Sequence, residues 1–224
     1  VKDTFDIVYP IGKKCAWGNY EELRYSLRSL KYVSHGTVWI VGVKPDWCVN
    51  VKHIPFSDSY VCKDANMISK ILRVCCDGVS DEFIRLSDDQ LFLKPYKGGY
   101  YYDGLLKNGE SAYSHIAQNT KDLLLREGRT IFNFDTHCPQ IISKKYADIM
   151  LRCPFGEGVG VLVNSFYFNS LGIEPTEVNM LRVKGAQDTY NFDKDFLNYN
   201  DSGLTEGLKK KIMEFLPEKS RYEI

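Results

Sequence analysis

Charge of one sign is not in excess in this sequence: 29 lysines and arginines face 29 aspartates and glutamates. That balance gives no chain-wide pull toward nucleic acid or an anionic membrane, and leaves only local basic segments at Lys13-Lys14, Lys144-Lys145 and Lys209-Lys210-Lys211. Each of these reads more simply as a solvated loop or helix face. No hydrophobic run approaches membrane-spanning length, and Val1-Lys2-Asp3-Thr4 opens without the apolar stretch of a signal peptide. CxxC pairs and zinc spacings are missing too. The seven cysteines are an odd number, with Cys75-Cys76 adjacent and Cys48, Cys62 and Cys138 in apolar contexts. The expectation is reduced thiols in a cytoplasmic protein rather than a disulfide framework. The segment Gly156 to Gly160 is glycine-rich but does not have the phosphate-loop pattern. There is no internal repeat and no low-complexity segment.

What is present is an ordinary soluble composition, 44% apolar and 26% charged over 224 residues, long enough for a core without staples. Fifteen tyrosines suit sugar or base stacking, and suit an aromatic-rich core at least as well. The most informative stretch is Phe83-Ile84-Arg85-Leu86-Ser87-Asp88-Asp89-Gln90-Leu91-Phe92-Leu93. Its two apolar runs have strand composition, with two carboxylates between them. A strand interior does not bury adjacent aspartates without a partner, because each loses several kcal/mol of hydration. The pair therefore belongs at a strand end facing a cleft. A divalent cation such as Mn²⁺ or Mg²⁺, with phosphate completing its shell, would satisfy it. A turn with two solvated aspartates is the plainer alternative.

Upstream, Phe5 to Pro10 reads as a buried strand ending at a proline. Asn19 is placed to cap a helix with Glu22 in a capping box, and Leu23, Leu27 and Leu30 share its apolar face. Thr37 to Gly42 and Val49 to Ile54 follow as strands. This spacing predicts a right-handed βαβ unit in a parallel sheet, with ligands at the carboxyl ends of the strands, next to Tyr9 and Pro10. A second helix over Lys63 to Arg73 carries Lys63, Asn66, Lys70 and Arg73 on one stripe. That stripe could hold a diphosphate or be a solvated face. Further on, Thr130 to Ile142 carries Asp135 and His137 two residues apart. On a strand they would face one site, Asp135 as general base and His137 as metal ligand or phosphate contact. A surface pair before Pro139 is the alternative. Helices are predicted over Lys144 to Arg152, over Val161 to Leu171, and over Leu204 to Leu216 with Leu208, Ile212, Met213 and Leu216 inward. Residues 1–200 are expected to form one domain, with 201–224 as an amphipathic helix and tail packed on it.

The order of strand, Asn19-x-Glu21-Glu22-Leu23-Arg24-Tyr25-Ser26-Leu27-Arg28-Ser29-Leu30, strand, Lys63-Asp64-x-Asn66, Ser87-Asp88-Asp89 and Asp135-x-His137-x-Pro139 resembles compact GT-A-type glycosyltransferases. The Leu-Arg-Tyr-Ser-Leu-Arg-Ser run and the Asp-Asp strand also resemble the Stealth proteins of capsule synthesis, which transfer sugar phosphates. The whole order is similar to small glycosyltransferase-like proteins of tailed bacteriophages, some of which decorate hydroxymethylated DNA bases. The resemblance covers roughly residues 5 to 145. It implies an α/β fold with a Rossmann-type, mostly parallel sheet flanked by helices in a single domain, and transfer from a nucleotide sugar, a UDP-sugar by family likeness. The acceptor would be modified DNA or a glycan, and the location cytoplasmic, in the host if the chain is phage-encoded. In that alignment Asp89 is the metal ligand, aided by His137. Asp88 faces the donor sugar or ribose, and Asp135 is the catalytic base. Tyr9, Pro10, Lys63, Asn66 and Lys70 bind the nucleotide sugar. Ser87 stands where the first motif acid is usual, which leaves a metal-independent variant open. A sugar-1-phosphate transferase or a non-catalytic binding module are the alternatives.

Overall fold

The computed structural model describes residues 4–107, 112–155 and 160–224. In chain order these form β1 (Phe5–Ile11), α1 (Glu21–Ser29), β2 (His35–Gly42), β3 (Lys52–Ile54), α2 (Lys63–Cys76), β4 (Glu82–Arg85), β5 (Gln90–Phe92), β6 (Tyr101–Tyr102), α3 (Ala112–Arg126), β7 (Gln140–Ser143), α4 (Val163–Leu171), β8 (Thr176–Glu177), β9 (Met180–Val183), β10 (Phe196–Tyr199) and α5 (Glu206–Phe215). The glycine-rich segment 156–159 lies outside the described residues. The central sheet has the order β3-β2-β1-β4-β7. Its first four strands are parallel, and β7 closes the β4 edge antiparallel. This is a mixed α/β single domain with a mostly parallel central sheet flanked by helices.

Both faces of the sheet are covered, so its strands are apolar at successive positions rather than at alternate ones. Ile7, Tyr9 and Ile11 of β1 point to one side, with Ile40, Ile84 and the α1 leucines Leu23 and Leu27. Val8 points to the other, with Val41, Phe83, Ile68 and Ile71 of α2, and Phe166 of α4. A smaller sheet, β5-β10-β9, packs with α5 and with Tyr25 of α1 as a third cluster. β4 and β5 belong to different sheets, and the aspartate turn joins them.

Several local expectations are revised. β1 does not stop at Pro10 but runs through it to Ile11. Leu86 N–H donates to Val8 O at 2.9 Å, so even-numbered positions of β1 address β4. β4 has left the sheet by the level of Pro10, and no partner there needs the missing N–H. Asn19 is not the helix cap: Asn19 and Tyr20 are both left-handed (φ 56 and 57), and Tyr20 takes the N-cap position without a side-chain bond. Glu22 instead reaches back, its Oε1 accepting from the amides of Ala16 (2.5 Å) and Trp17 (2.9 Å). Lys144–Arg152 is a run of 3₁₀ turns rather than an α-helix, and it buries Ala147 and Met150, whose spacing of three suits the tighter winding. Met213 of α5 is 43% exposed, off the face formed by Leu208, Ile212 and Leu216. Asp135 and His137 are not on a strand: both precede β7 in an irregular bend, and His137 is left-handed (φ 58).

The segment after α5 lies against α1. Glu223 accepts from Arg28 Nη2 (2.8 Å) and Nε (2.9 Å) and from Arg24 Nη1 (3.1 Å). Tyr222 is buried, and its hydroxyl is 2.7 Å from His35 Nε2.

Candidate active site

The carboxyl ends of β1, β2 and β4 converge. At the first two, the backbones approach so closely that a Cβ on Gly42 (φ +119) would lie 2.0 Å from Ile11 O, which reserves the position for glycine. At the third, β4 releases the turn Ser87-Asp88-Asp89-Gln90. Gln90 is buried and closes the turn twice: its N–H donates to Ser87 O (3.2 Å), and its Oε1 accepts from Ser87 N–H (3.1 Å). From β10, Asn198 Nδ2 donates to Asp89 O at 3.3 Å. Beneath the turn, Ser26 Oγ donates to Gln90 O (2.6 Å) and is 2.8 Å from the Tyr9 hydroxyl. Tyr9 is fully buried there, so its side chain supports the turn instead of lining a nucleoside pocket. Pro10 is half-buried at the end of β1.

Asp88 and Asp89 are partly accessible yet surrounded by protein, as groups lining a cleft are. Burial, the neighbouring Asp89 and Glu22 push Asp88 up to about 7. Burial likewise pushes Asp89 up to about 6, against the hydrogen bond from Asn198. Three polar atoms at this spot are buried without a hydrogen-bond partner among the described residues: Asp89 Oδ1, Glu22 Oε2 and the Tyr199 hydroxyl. Unmet acceptors beside two carboxylates that resist ionisation are the surroundings a hard cation relieves. The residues therefore fit a cation held by two carboxylates. Among the described residues no three His, Cys, Asp or Glu side chains are grouped to hold an ion on their own. The rest of its shell would have to be substrate phosphate and water.

On the opposite face of β4, Arg85 follows Phe83 at the strand period of two. It is 7% exposed, and its Nε has no partner among the described residues. Burial pulls the guanidinium down from its usual range, while the carboxylates of Asp135, Asp64 and Asp89 favour its charge. Asp135 is anchored by α4, its Oδ2 accepting from Ser165 N–H (2.9 Å) and Ser165 Oγ–H (2.7 Å) in the first turn of the helix. Burial still raises its pKa, against those bonds and the pull of Arg85. His137 has cationic neighbours. Its side chain is exposed, yet desolvation by the surrounding protein, then Arg182, Arg85 and Lys184, hold its pKa down to about 4. The structure thus groups His137 with Arg182 and Lys184 on the rim, and does not group it with Asp89 around one ion.

The α2 stripe is not a free cationic face. Lys70 is buried, with Nζ 2.6 Å from Asp58 Oδ1 and donating to Ile11 O at 2.9 Å. Arg73 pairs with Asp77 at 3.0 Å, and Lys63 is exposed. Asn66 Oδ1 accepts from the amides of Ser59 (3.1 Å) and Tyr60 (3.0 Å), and its Nδ2 donates to Tyr60 O (2.7 Å). Asn66 and Lys70 therefore clamp the 58–60 loop against the end of β1 rather than presenting groups to a phosphate. Replacing Asn66 with alanine is expected to cost roughly 1–2 kcal/mol of stability, which thermal melts check.

Sequence reasoning missed Arg85, Glu22, Tyr199 and Arg182. Only Arg85 had a visible signal, a lone charge inside an apolar strand run.

No family model matches the chain, and no curated protein does. Among solved structures, glycosyltransferase GlyE of Streptococcus pneumoniae TIGR4 aligns at 11% identity over 57% of this chain and 40% of that one, with a TM-score of 0.29. Its apo form aligns at 12% identity over 71% and 45%, with a TM-score of 0.26. The chain spans less than half the length of either structure. Likenesses of this size carry no argument about activity. No helix among the described residues is long and apolar enough to cross a membrane.

Proposed function

We propose that the protein is a glycosyltransferase that moves a sugar from a nucleotide-diphosphate donor, a UDP-sugar by family resemblance, to an acceptor hydroxyl. The observation that carries this reading is the Asp88-Asp89 turn at the carboxyl end of β4, with Asp89 Oδ1 buried and unpartnered. Asp88 and Asp89 would hold Mn²⁺ or Mg²⁺. When bound, the cation supplies charge neutralisation for the departing nucleotide diphosphate. In the inverting case the acceptor oxygen bonds to the anomeric carbon, the bond from that carbon to the phosphate oxygen breaks, and the hydroxyl proton passes to Asp135. Burial makes Asp135 more basic than a free aspartate, and Ser165 fixes its orientation. Lys63 and Arg182 would meet phosphate charge that the cation does not. The acceptor class, a hydroxymethylated DNA base or a glycan, is part of the same proposal.

A second reading is favoured by one observation, the imidazole of His137 beside the cations Arg182 and Lys184. Such a rim suits a phosphoryl group that stays in the product, as in sugar-1-phosphate transfer. The released nucleotide separates the two. The protein is incubated with a panel of nucleotide sugars, with Mn²⁺ or chelator, with and without hydroxymethylated DNA. Metal-dependent release of nucleoside diphosphate is expected, and stimulation by DNA would name the acceptor. Nucleoside monophosphate would establish phosphoryl transfer. The absence of both nucleotide release and nucleotide binding would remove the assignment of the aspartate turn.

A further inference from the structure

A cavity of about 310 Å³ lies away from the aspartate cleft. Glu82 opens β4 and the aspartates follow its last residue, so the two sites are at opposite ends of one strand. Tyr167 and Phe168 of α4 are fully buried and form its floor, their rings edge-to-face with centroids 5.0 Å apart. Tyr167 is fixed by the edge strand: Ser143 N–H donates to its hydroxyl (3.1 Å), and that hydroxyl donates to Ser143 O (3.3 Å). Two more aromatic rings line the cavity, half-buried Tyr100 and Tyr146, which is 40% exposed.

Two polar groups in this cavity are unspent. Ser170 is 8% exposed, and its Oγ has no hydrogen-bond partner among the described residues. The Glu82 carboxylate has no ion-pair partner among them either. It lies near enough to Tyr100 and Tyr167 to add to the upward push that burial gives both phenols. Fixed aromatic rings with one free carboxylate and one free hydroxyl match a ring with apolar C–H faces and a rim of hydroxyls. An organic cation is the other ligand that aromatic rings and a carboxylate attract. Lys145 disfavours it, because its Nζ already stands 5.0 Å from the Tyr146 ring centroid. The volume is at the low end for small-molecule sites, which sets the size at one ring.

We propose that this cavity is a second, non-catalytic carbohydrate site that binds a single neutral pyranose unit. The sugar's C–H face packs on Tyr100 and Tyr146. Its hydroxyls donate to the Glu82 carboxylate and bond with Ser170 Oγ. The site is independent of the aspartate cleft and does not require that the transfer reaction be assigned correctly.

The test is a titration of the full chain, followed by NMR, with the methyl glycosides of glucose, galactose and N-acetylglucosamine. Choline is the cationic control, and UDP with Mn²⁺ reports on the cleft. Saturable binding of at least one glycoside is expected. Glu82→Gln and Tyr146→Ala should each weaken it about tenfold, or roughly 1.4 kcal/mol, and leave UDP binding unchanged. Tyr146 is on the surface and glutamine matches the shape of Glu82, so both variants should fold, which melting curves verify. No saturable binding by any glycoside, binding that survives both variants, or saturation by choline instead would each overturn the proposal.

Discussion

Asp89→Asn is expected to lower donor turnover by roughly two to three orders of magnitude while leaving the melting temperature unchanged or higher. The two halves of that result have one cause. Burial pushes Asp89 up to about 6, which means that the fold works against its ionised form. Asparagine has the same shape and no charge. Its side chain can still sit beside Asn198, and Asp88 loses a repulsive neighbour that contributes to its own rise. A residue whose charge costs stability has another reason to be there, and the proposed cation-diphosphate ligand would supply it. The measurement pairs a melt with initial rates under saturating Mn²⁺. A wild-type rate in a folded Asp89→Asn protein would take the turn out of the chemistry. A lost rate with a collapsed melt would mean only that the turn is structural, and Asp88→Asn would then have to be examined the same way.

Glu223→Ala should give the largest loss of stability, about 3–5 kcal/mol, with little effect on donor affinity. The Glu223 side chain is 0% exposed, and the arginines it serves, Arg24 and Arg28, are 14% and 11% exposed. Burial alone would raise its pKa. The hydrogen bonds from Arg28, the Ser220 amide and Arg24 overcome that and hold it down to about 2. Removing the carboxylate leaves two guanidinium groups poorly hydrated and without their anion. The sign of the pH dependence follows. A carboxylate depressed in the folded state contributes stability that is complete above its unfolded value near 4.5, and is lost as pH falls from there toward 2. Denaturant melts of the wild type should therefore weaken across that acid range, and those of Glu223→Ala should weaken less. Parallel curves for the two proteins would assign the acid transition to other groups.

Most of the first half of the fold was legible, because its signals are local. β1, β2, the face of α1 with Leu23, Leu27 and Leu30, and the start of α2 at Lys63 all follow from strand-type apolar runs and helical spacing within a few residues. The position of Asp88 and Asp89 at a strand end followed from the cost of burying them elsewhere. The site around them was less legible. Glu22 reads as a capping-box residue, and only the fold brings its free oxygen beside Asp88. Tyr199 lies on a strand that pairs with β5 from far along the chain. Lys70 and Asn66 share a helix stripe, but a stripe shows direction without showing whether a loop already occupies it. Asp135 and His137 obeyed no period, since Ser165 and a left-handed residue place them rather than a strand.

The junction between the two sheets has a kinetic consequence. β5 finds its partner β10 only when Phe92 meets Phe196, a pairing that closes a loop of about a hundred residues. Long-range pairings of this kind form late and slowly, because closure entropy is lost before the contact returns anything. The parallel βαβ half can collapse first. Asn198 and Tyr199 arrive with β10, so an early intermediate would present the aspartate turn without its supports. Donor-binding competence should therefore lag behind secondary structure when the unfolded chain is returned to native conditions. That delay would report on assembly of the second sheet.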